Sequence, residues 1–241
     1  MSSVTVGSYN VRWGLRHGGR RRWERFDVVD ACRHLDADVL ALLEVWRPDG
    51  SPSVAQEVAG ALGYDLHEAW TARGVTEPTC KLVGRTGEPV GTGDLGQALL
   101  TRVPRGPVID NRLAGFVLDY TDRTVLTTEI ELNGVDVAVC ASHFPHLEHF
   151  SPLLRWRLRS VLPDVHRPAV LMGDFNMWRW LARFIAPGWS DTVRGATWPA
   201  PRPIFQIDHL LATSPLVVTH AEVVHVGESD HLPIRARIAV R

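Results

Sequence analysis

Eight polar residues stand at or just beyond apolar runs that read as strands. They are Asn10 in SYNV, Glu44 in LLEV, His143 in ASHF, Asp174 and Asn176 in GDFN, Asp208 in IDHL, and Asp230 with His231 in ESDH. Carboxylates are costly to bury alone, and several brought together without a cation raise one another's pKa values. Such a set calls for a divalent ion. Hard oxygen donors with an amide suit Mg²⁺, with Mn²⁺ able to substitute, and the lack of clustered cysteines argues against zinc. Hydrolysis of a phosphate ester needs charge neutralised on the transferring group, an aligned water and a proton for the leaving oxygen. Each task has a candidate in this set.

The stretch Val170 to Asn176, VLMGDFN, shows how such residues are presented. Side chains alternate faces on an extended segment, so Asp174 and Asn176 can point the same way while Phe175 points into the protein. An Asx turn ahead of a helix at Trp178 is the structural alternative for this pair. His209, next to Asp208, is expected to face away from it and pack.

The elements that must hold these residues follow from apolar periodicity. Strands are expected at Val4 to Val11, through DVLALLEVW with its end at Glu44, at Tyr64 to Trp70, and at Gly96 to Leu100. Thr124 to Ile130 and Val135 to Ala141 follow, joined as a hairpin by Asn133-Gly134. The remaining strands are VLMGDFN, Ile207 to Ala212, Leu216 to Val226 and Pro233 to Val240. Helices are expected at Glu24 to Leu35, at Ser53 to Leu62 with Ser53 as cap and Gly63 as stop, at His149 to Leu162, and at Trp178 to Ile185. Hairpin signals beside strand-helix-strand signals predict an α/β protein with two packed mixed β-sheets flanked by helices.

With 241 residues and 45% hydrophobic composition, the chain can bury a sizeable core, and no linker divides residues 1–241, so one domain is expected. The first residues lack the basic and apolar regions of a signal peptide, and no run reaches the length of a transmembrane segment; a cytoplasmic protein is the expectation. Cys32, Cys80 and Cys140 are odd in number and widely spaced, which suits reduced thiols better than disulfides. Net charge is −1, and all but one of the 26 Lys and Arg are Arg, so no general positive field collects nucleic acid. A local patch can, and Arg20, Arg21 and Arg22 in the loop after the first strand are the candidates, as solvated loop residues or as phosphate contacts. Trp180 and Trp189 are expected to pack; Trp178 and Trp198 are open to packing or to a substrate wall.

The order of the short segments resembles the endonuclease/exonuclease/phosphatase superfamily, which groups DNase I-like nucleases, exonuclease III-like repair enzymes, sphingomyelinases and inositol-polyphosphate 5-phosphatases. SYNV, LLEV, SHF, GDFN, IDHL and SDH occur in that family's order over nearly the whole chain. The resemblance implies a four-layered α/β sandwich and a Mg²⁺-dependent phosphoric ester hydrolase. It implies that Glu44 ligates the metal, with Asn10 at or beside it and Asp230 as a further acid near the ion. Asp174 then orients or helps deprotonate water, Asn176 holds a phosphate oxygen, and His231, positioned by Asp208, is a base or a phosphate-stabilising cation. His143 contacts phosphate and can protonate the leaving oxygen.

Leu43 stands where many members carry glutamine, and Gln97 where asparagine is common; Glu77, Glu88 and Asp94 have no assigned role. The implied substrate is a phosphodiester, with DNA and RNA as candidates and endonuclease-like action as the leading expectation. The alternative is a small-molecule or phospholipid-headgroup phosphoesterase. A non-catalytic phosphate- or nucleic-acid-binding protein is the third reading. No obligate protein partner is evident.

Overall fold

Residues 3–17, 23–73, 92–113, 123–145 and 152–241 are described by a computed structural model. The strands are β1 (Val4–Asn10), β2 (Leu15–His17), β3 (Trp23–Arg25), β4 (Val39–Pro48), β5 (Asp65–Arg73), β6 (Gly93–Thr101) and β7 (Ile109–Leu113). They continue with β8 (Arg123–Leu132), β9 (Val135–Ser142), β10 (Ala169–Asp174), β11 (Ser190–Asp191), β12 (Asp208–Ala212), β13 (Leu216–Val223) and β14 (Ile234–Val240). The helices are α1 (Val28–Leu35), α2 (Val54–Leu62), α3 (Pro152–Val161) and α4 (Arg179–Ile185).

Two six-stranded sheets result, ordered β13-β14-β1-β4-β6-β5 and β11-β12-β10-β9-β8-β7. Both are mixed: β1 pairs in parallel with β4, and β9 with β10, among otherwise antiparallel neighbours. Alternation along each strand feeds two cores at once. Val39 and Ala41 of β4 face the second sheet, meeting Val139, Val170 and Leu210, whereas Leu40 and Leu42 face α1 and α2. On the second sheet, Cys140 and Leu171 pack outward against Leu154 and Leu158 of α3 and Leu181 of α4. The layers are therefore helix, sheet, sheet, helix, the expected four-layered sandwich. Among the described residues, no helix is long and apolar enough to cross a membrane.

Local signals account for much of this. Ser53 caps α2 in a reciprocal capping box with Gln56, and Gly63 ends it at φ 72°. Asn133 and Gly134 both take positive φ, 56° and 76°, joining β8 to β9. The first helix is shorter than periodicity suggests: Asp27 accepts a hydrogen bond from the Asp30 N–H and starts α1 at Val28, while Glu24 and Arg25 lie in β3 against β2. Strand β4 does not end at Glu44 but runs on to Pro48, through a bulge between Leu43 and Val45. Cys32 and Cys140 are free and buried. Arg20, Arg21, Arg22, Glu77, Cys80, Glu88 and the His149 start of the third expected helix lie outside the described residues.

Candidate active site

The two parallel strand pairs deliver polar residues to one end of the sandwich. Asn10 is the last residue of β1, in register with Leu43 of β4, so Glu44 lies one step further along. The bulge at this point breaks the alternation: Leu42, Leu43 and Val45 are all buried, and Glu44, at φ 54°, is turned out of both cores. Asp174 is the last residue of β10 and sits opposite Asp208 of β12. His143 follows β9, and Ser229, Asp230 and His231 occupy the turn before β14. Gly173 makes the close approach possible, because a Cβ there would meet the Ser142 carbonyl oxygen at 1.8 Å.

Asp174 is the hub. Its Oδ2 accepts from Asn10 Nδ2 at 3.0 Å and lies 3.6 Å from His143 Nε2 and 3.7 Å from His231 Nε2. Its Oδ1 accepts from the Asn176 N–H at 2.8 Å, an Asx turn that holds Asn176 at φ 52°. The Asx turn is therefore present, with Phe175 fully buried against Phe144 and His209. Asn10 donates its other amide proton to Glu44 Oε1 at 3.1 Å and accepts the Arg12 N–H on Oδ1 at 3.0 Å. Glu44 Oε1 is 4.0 Å from His143 Nε2. Asn176 donates through Nδ2 to the Phe144 carbonyl at 2.9 Å, which commits one of its two amide protons.

Asp208 accepts from His231 Nδ1 at 2.9 Å, so a carboxylate faces each nitrogen of that ring. Burial alone would push the imidazole down; Asp208 and Asp174 outweigh it and raise the pKa to about 10. Burial raises Asp174 to about 7, partly offset by His231. Glu44 is likewise raised, first by burial and then by the negative charge of Asp230.

Asp230 lies nearer the rim. Its Oδ2 pairs with Arg12 Nη1 at 2.8 Å and accepts from Trp198 Nε1 at 3.4 Å. Arg12 and Ser229 carried no expectation of a place at the site, whereas Trp198, open in sequence to packing or to a substrate wall, lies at its rim. Ser229 Oγ donates to the Asn10 carbonyl at 2.7 Å and accepts the His231 N–H at 3.3 Å, tying the last turn to the first strand. Its position inside ESDH was the available signal; for Arg12 the only signal was a place two residues past Asn10.

His209 packs away from Asp208 as expected, its two ring nitrogens facing Met177 O at 2.9 Å and Asp191 Oδ2 at 3.2 Å. Asp94 is engaged by Arg47 on β4. Gln97 donates to the Thr124 carbonyl at 2.8 Å and so bridges the sheets. Trp189 is buried, but Trp180 is 57% exposed, against the expectation that it packs: α4 turns Leu181, Ala182 and Ile185 inward, which leaves position 180 outside.

The donor set fits a divalent ion. Asp174, Asp208 and His231 bring ligand atoms within 4.8 Å of one another. Asp208 and His231 are already bonded to each other, however, whereas Glu44 carries a desolvated charge repelled by Asp230. A cation beside Glu44 relieves both burial and repulsion, with the carboxylates of Asp230 and, across Asn10, Asp174 as the further hard oxygen groups nearby.

A sequence profile of the endonuclease/exonuclease/phosphatase family matches residues 7–231. No curated protein matched the sequence. Similar solved structures include an endonuclease/exonuclease/phosphatase from Beutenbergia cavernae, 22% identical, TM-score 0.73, covering 100% of this chain and 72% of that one. A D. rerio TDP2 humanized by 14 mutations is 17% identical, with TM-score 0.66 and full coverage of both chains. The human Nocturnin catalytic domain with bound sulfate is 16% identical, TM-score 0.67, covering 99% of this chain and 94% of that one. At these identities the likeness is one of fold.

Proposed function

The chain belongs to the endonuclease/exonuclease/phosphatase family of metal-dependent phosphoester hydrolases, and on that premise we propose that it is a Mg²⁺-dependent phosphodiesterase with endonuclease-like action. The observation that carries this reading is the convergence of two histidines and Asn10 on the Asp174 carboxylate, with Glu44 joined to it through Asn10 and Asp208 behind His231.

Glu44 would hold the ion, with Asn10 and Asp230 beside it. When bound, Mg²⁺ supplies positive charge to the transferring phosphoryl group. Asn10 keeps Glu44 and Asp174 side by side by donating one amide proton to each. Asp174, with its pKa raised, can accept a proton from water near neutral pH. His231, facing a carboxylate at each nitrogen, stays protonated and serves as the cation beside phosphate rather than as the base. The second amide proton of Asn176 is directed to a phosphate oxygen. His143, whose Nε2 faces the same Asp174 oxygen as His231, supplies the proton that the leaving oxygen takes as the P–O bond breaks.

The test is turnover with and without EDTA, restored by Mg²⁺ or Mn²⁺, on single- and double-stranded DNA, RNA, bis-p-nitrophenyl phosphate, sphingomyelin and inositol phosphates. Cleavage of DNA or RNA is expected. Turnover of only a small phosphoester or a lipid headgroup would replace the endonuclease reading, and full activity in EDTA would overturn the metal dependence.

A further inference from the structure

We propose that the arginine- and aromatic-rich face built by α3, α4 and Phe205 is a binding strip for single-stranded nucleic acid, leading away from the active site. It rests on the phosphodiesterase reading above and names the substrate class.

The strip begins at the site. Trp198, hydrogen-bonded to Asp230, stacks with Phe205 at 6.1 Å and 27° between planes. Phe205 stacks in turn with Trp178 at 6.4 Å and 19°, and Trp178 lies 6.5 Å from Trp180. Beyond Trp180 on α4 comes Phe184, with the Arg155 guanidinium of α3 4.8 Å from its ring centre. Trp178, Trp180 and Phe184 are each at least half exposed, at 53%, 57% and 50%, an unusual display of large rings by one short helix. An open groove of 680 Å³ runs between Arg179, Trp180, Arg183 and Phe184.

Charge points the same way. Neither α3, PLLRWRLRSV, nor α4, RWLARFI, contains an acid, while both carry arginine among their aromatics, in a chain whose net charge is −1. Rings with interleaved guanidiniums are the chemistry that holds bases and phosphates together. Paired bases cover one another's faces, so rings standing on a strip can stack only on unpaired ones. The rings follow one another outward from Asp230, so a polymer lying on them presents its phosphodiesters to the site in turn; Leu153, Trp156 and Ile204 are exposed on the same elements, so a membrane surface is the occupant the test must separate from it.

Binding of a fluorescein-labelled oligothymidylate, read by anisotropy in EDTA so that nothing is cleaved, tests this. The Trp180→Ala/Phe184→Ala double variant should bind about tenfold or more weakly, and Trp180→Phe should keep most of the affinity. Arg183→Ala should flatten the salt dependence by roughly 0.7 in slope. Unchanged affinity in the double variant, or an equal loss on a duplex of the same length, overturns the strip. So does a loss confined to phosphatidylserine vesicles, which would make the face a membrane contact. The phosphodiesterase reading fails separately, if wild-type protein binds the oligonucleotide but hydrolyses no phosphodiester with either metal.

Discussion

Asp174 and Glu44 are both costly to hold ionised in their surroundings, and Asn10 keeps them adjacent at that cost. Function and stability therefore separate at Glu44. In Glu44→Gln the amide oxygen still accepts from Asn10, and a desolvated charge is gone. Calorimetric titration should show Mg²⁺ binding weakened at least about tenfold, while the melting temperature in EDTA does not fall. Unchanged Mg²⁺ affinity would remove Glu44 from the metal. The Asp208–His231 pair predicts coupling instead. Asp208→Asn and His231→Ala should each lower kcat by about 10²–10⁴-fold, and the double variant should be little worse than either single one, because both changes disable the same cation. Losses that multiply in a rate cycle would count against the pair.

At the scale of elements, the site depends on two departures from regular strand geometry. The bulge in β4 re-aims Glu44, and the glycine near the end of β10 lets that strand press onto the end of β9. Gly173→Ala places a methyl group against the Ser142 carbonyl at a φ of 153°, so both overpacking and backbone strain apply. A loss of about 3 kcal/mol or more is expected in denaturant titration, together with lost activity. A variant as stable as wild type would show that β10 can shift without harm. Ser53→Ala, which removes one half of the α2 capping box far from the chemistry, should cost about 1 kcal/mol and leave turnover intact.

Across the whole molecule, the buried site couples folding to pH. Glu44, Asp174 and His231 all have raised pKa values, so each binds its proton more tightly folded than unfolded. The stability they contribute is complete below their ordinary values and is lost as pH rises, from 3.8 towards about 7 for Asp174 and from 6.5 towards about 10 for His231. In EDTA, the excess in melting temperature of wild type over His231→Ala should therefore shrink as pH rises through the His231 window. An excess that grows over that range would show that His231 is not stabilised by its two carboxylates. Added Mg²⁺ should stabilise the wild type most at the upper end, where its ligands are deprotonated.

Local patterning carried the strand and helix order, the α2 cap, the Asn133-Gly134 hairpin and the burial of Phe175, because each depends on residues within a few positions of one another. The same ordered motifs were enough to indicate the family and the layered architecture. What they did not contain was anything that depends on distant segments meeting. The β4 bulge answers to pairing with β6, and the extra strand β3 to pairing with β2, so neither shows in a period of two or 3.6. Arg12 reached the site because β1 ends beside the turn before β14, more than two hundred residues later in the chain. Trp180 was expected to pack; the seating of α4 against the second sheet through Leu181, Ala182 and Ile185 put it in solvent. A residue's type determines what chemistry it can perform, but its neighbours across the fold determine whether its charge is buried, paired or free to act.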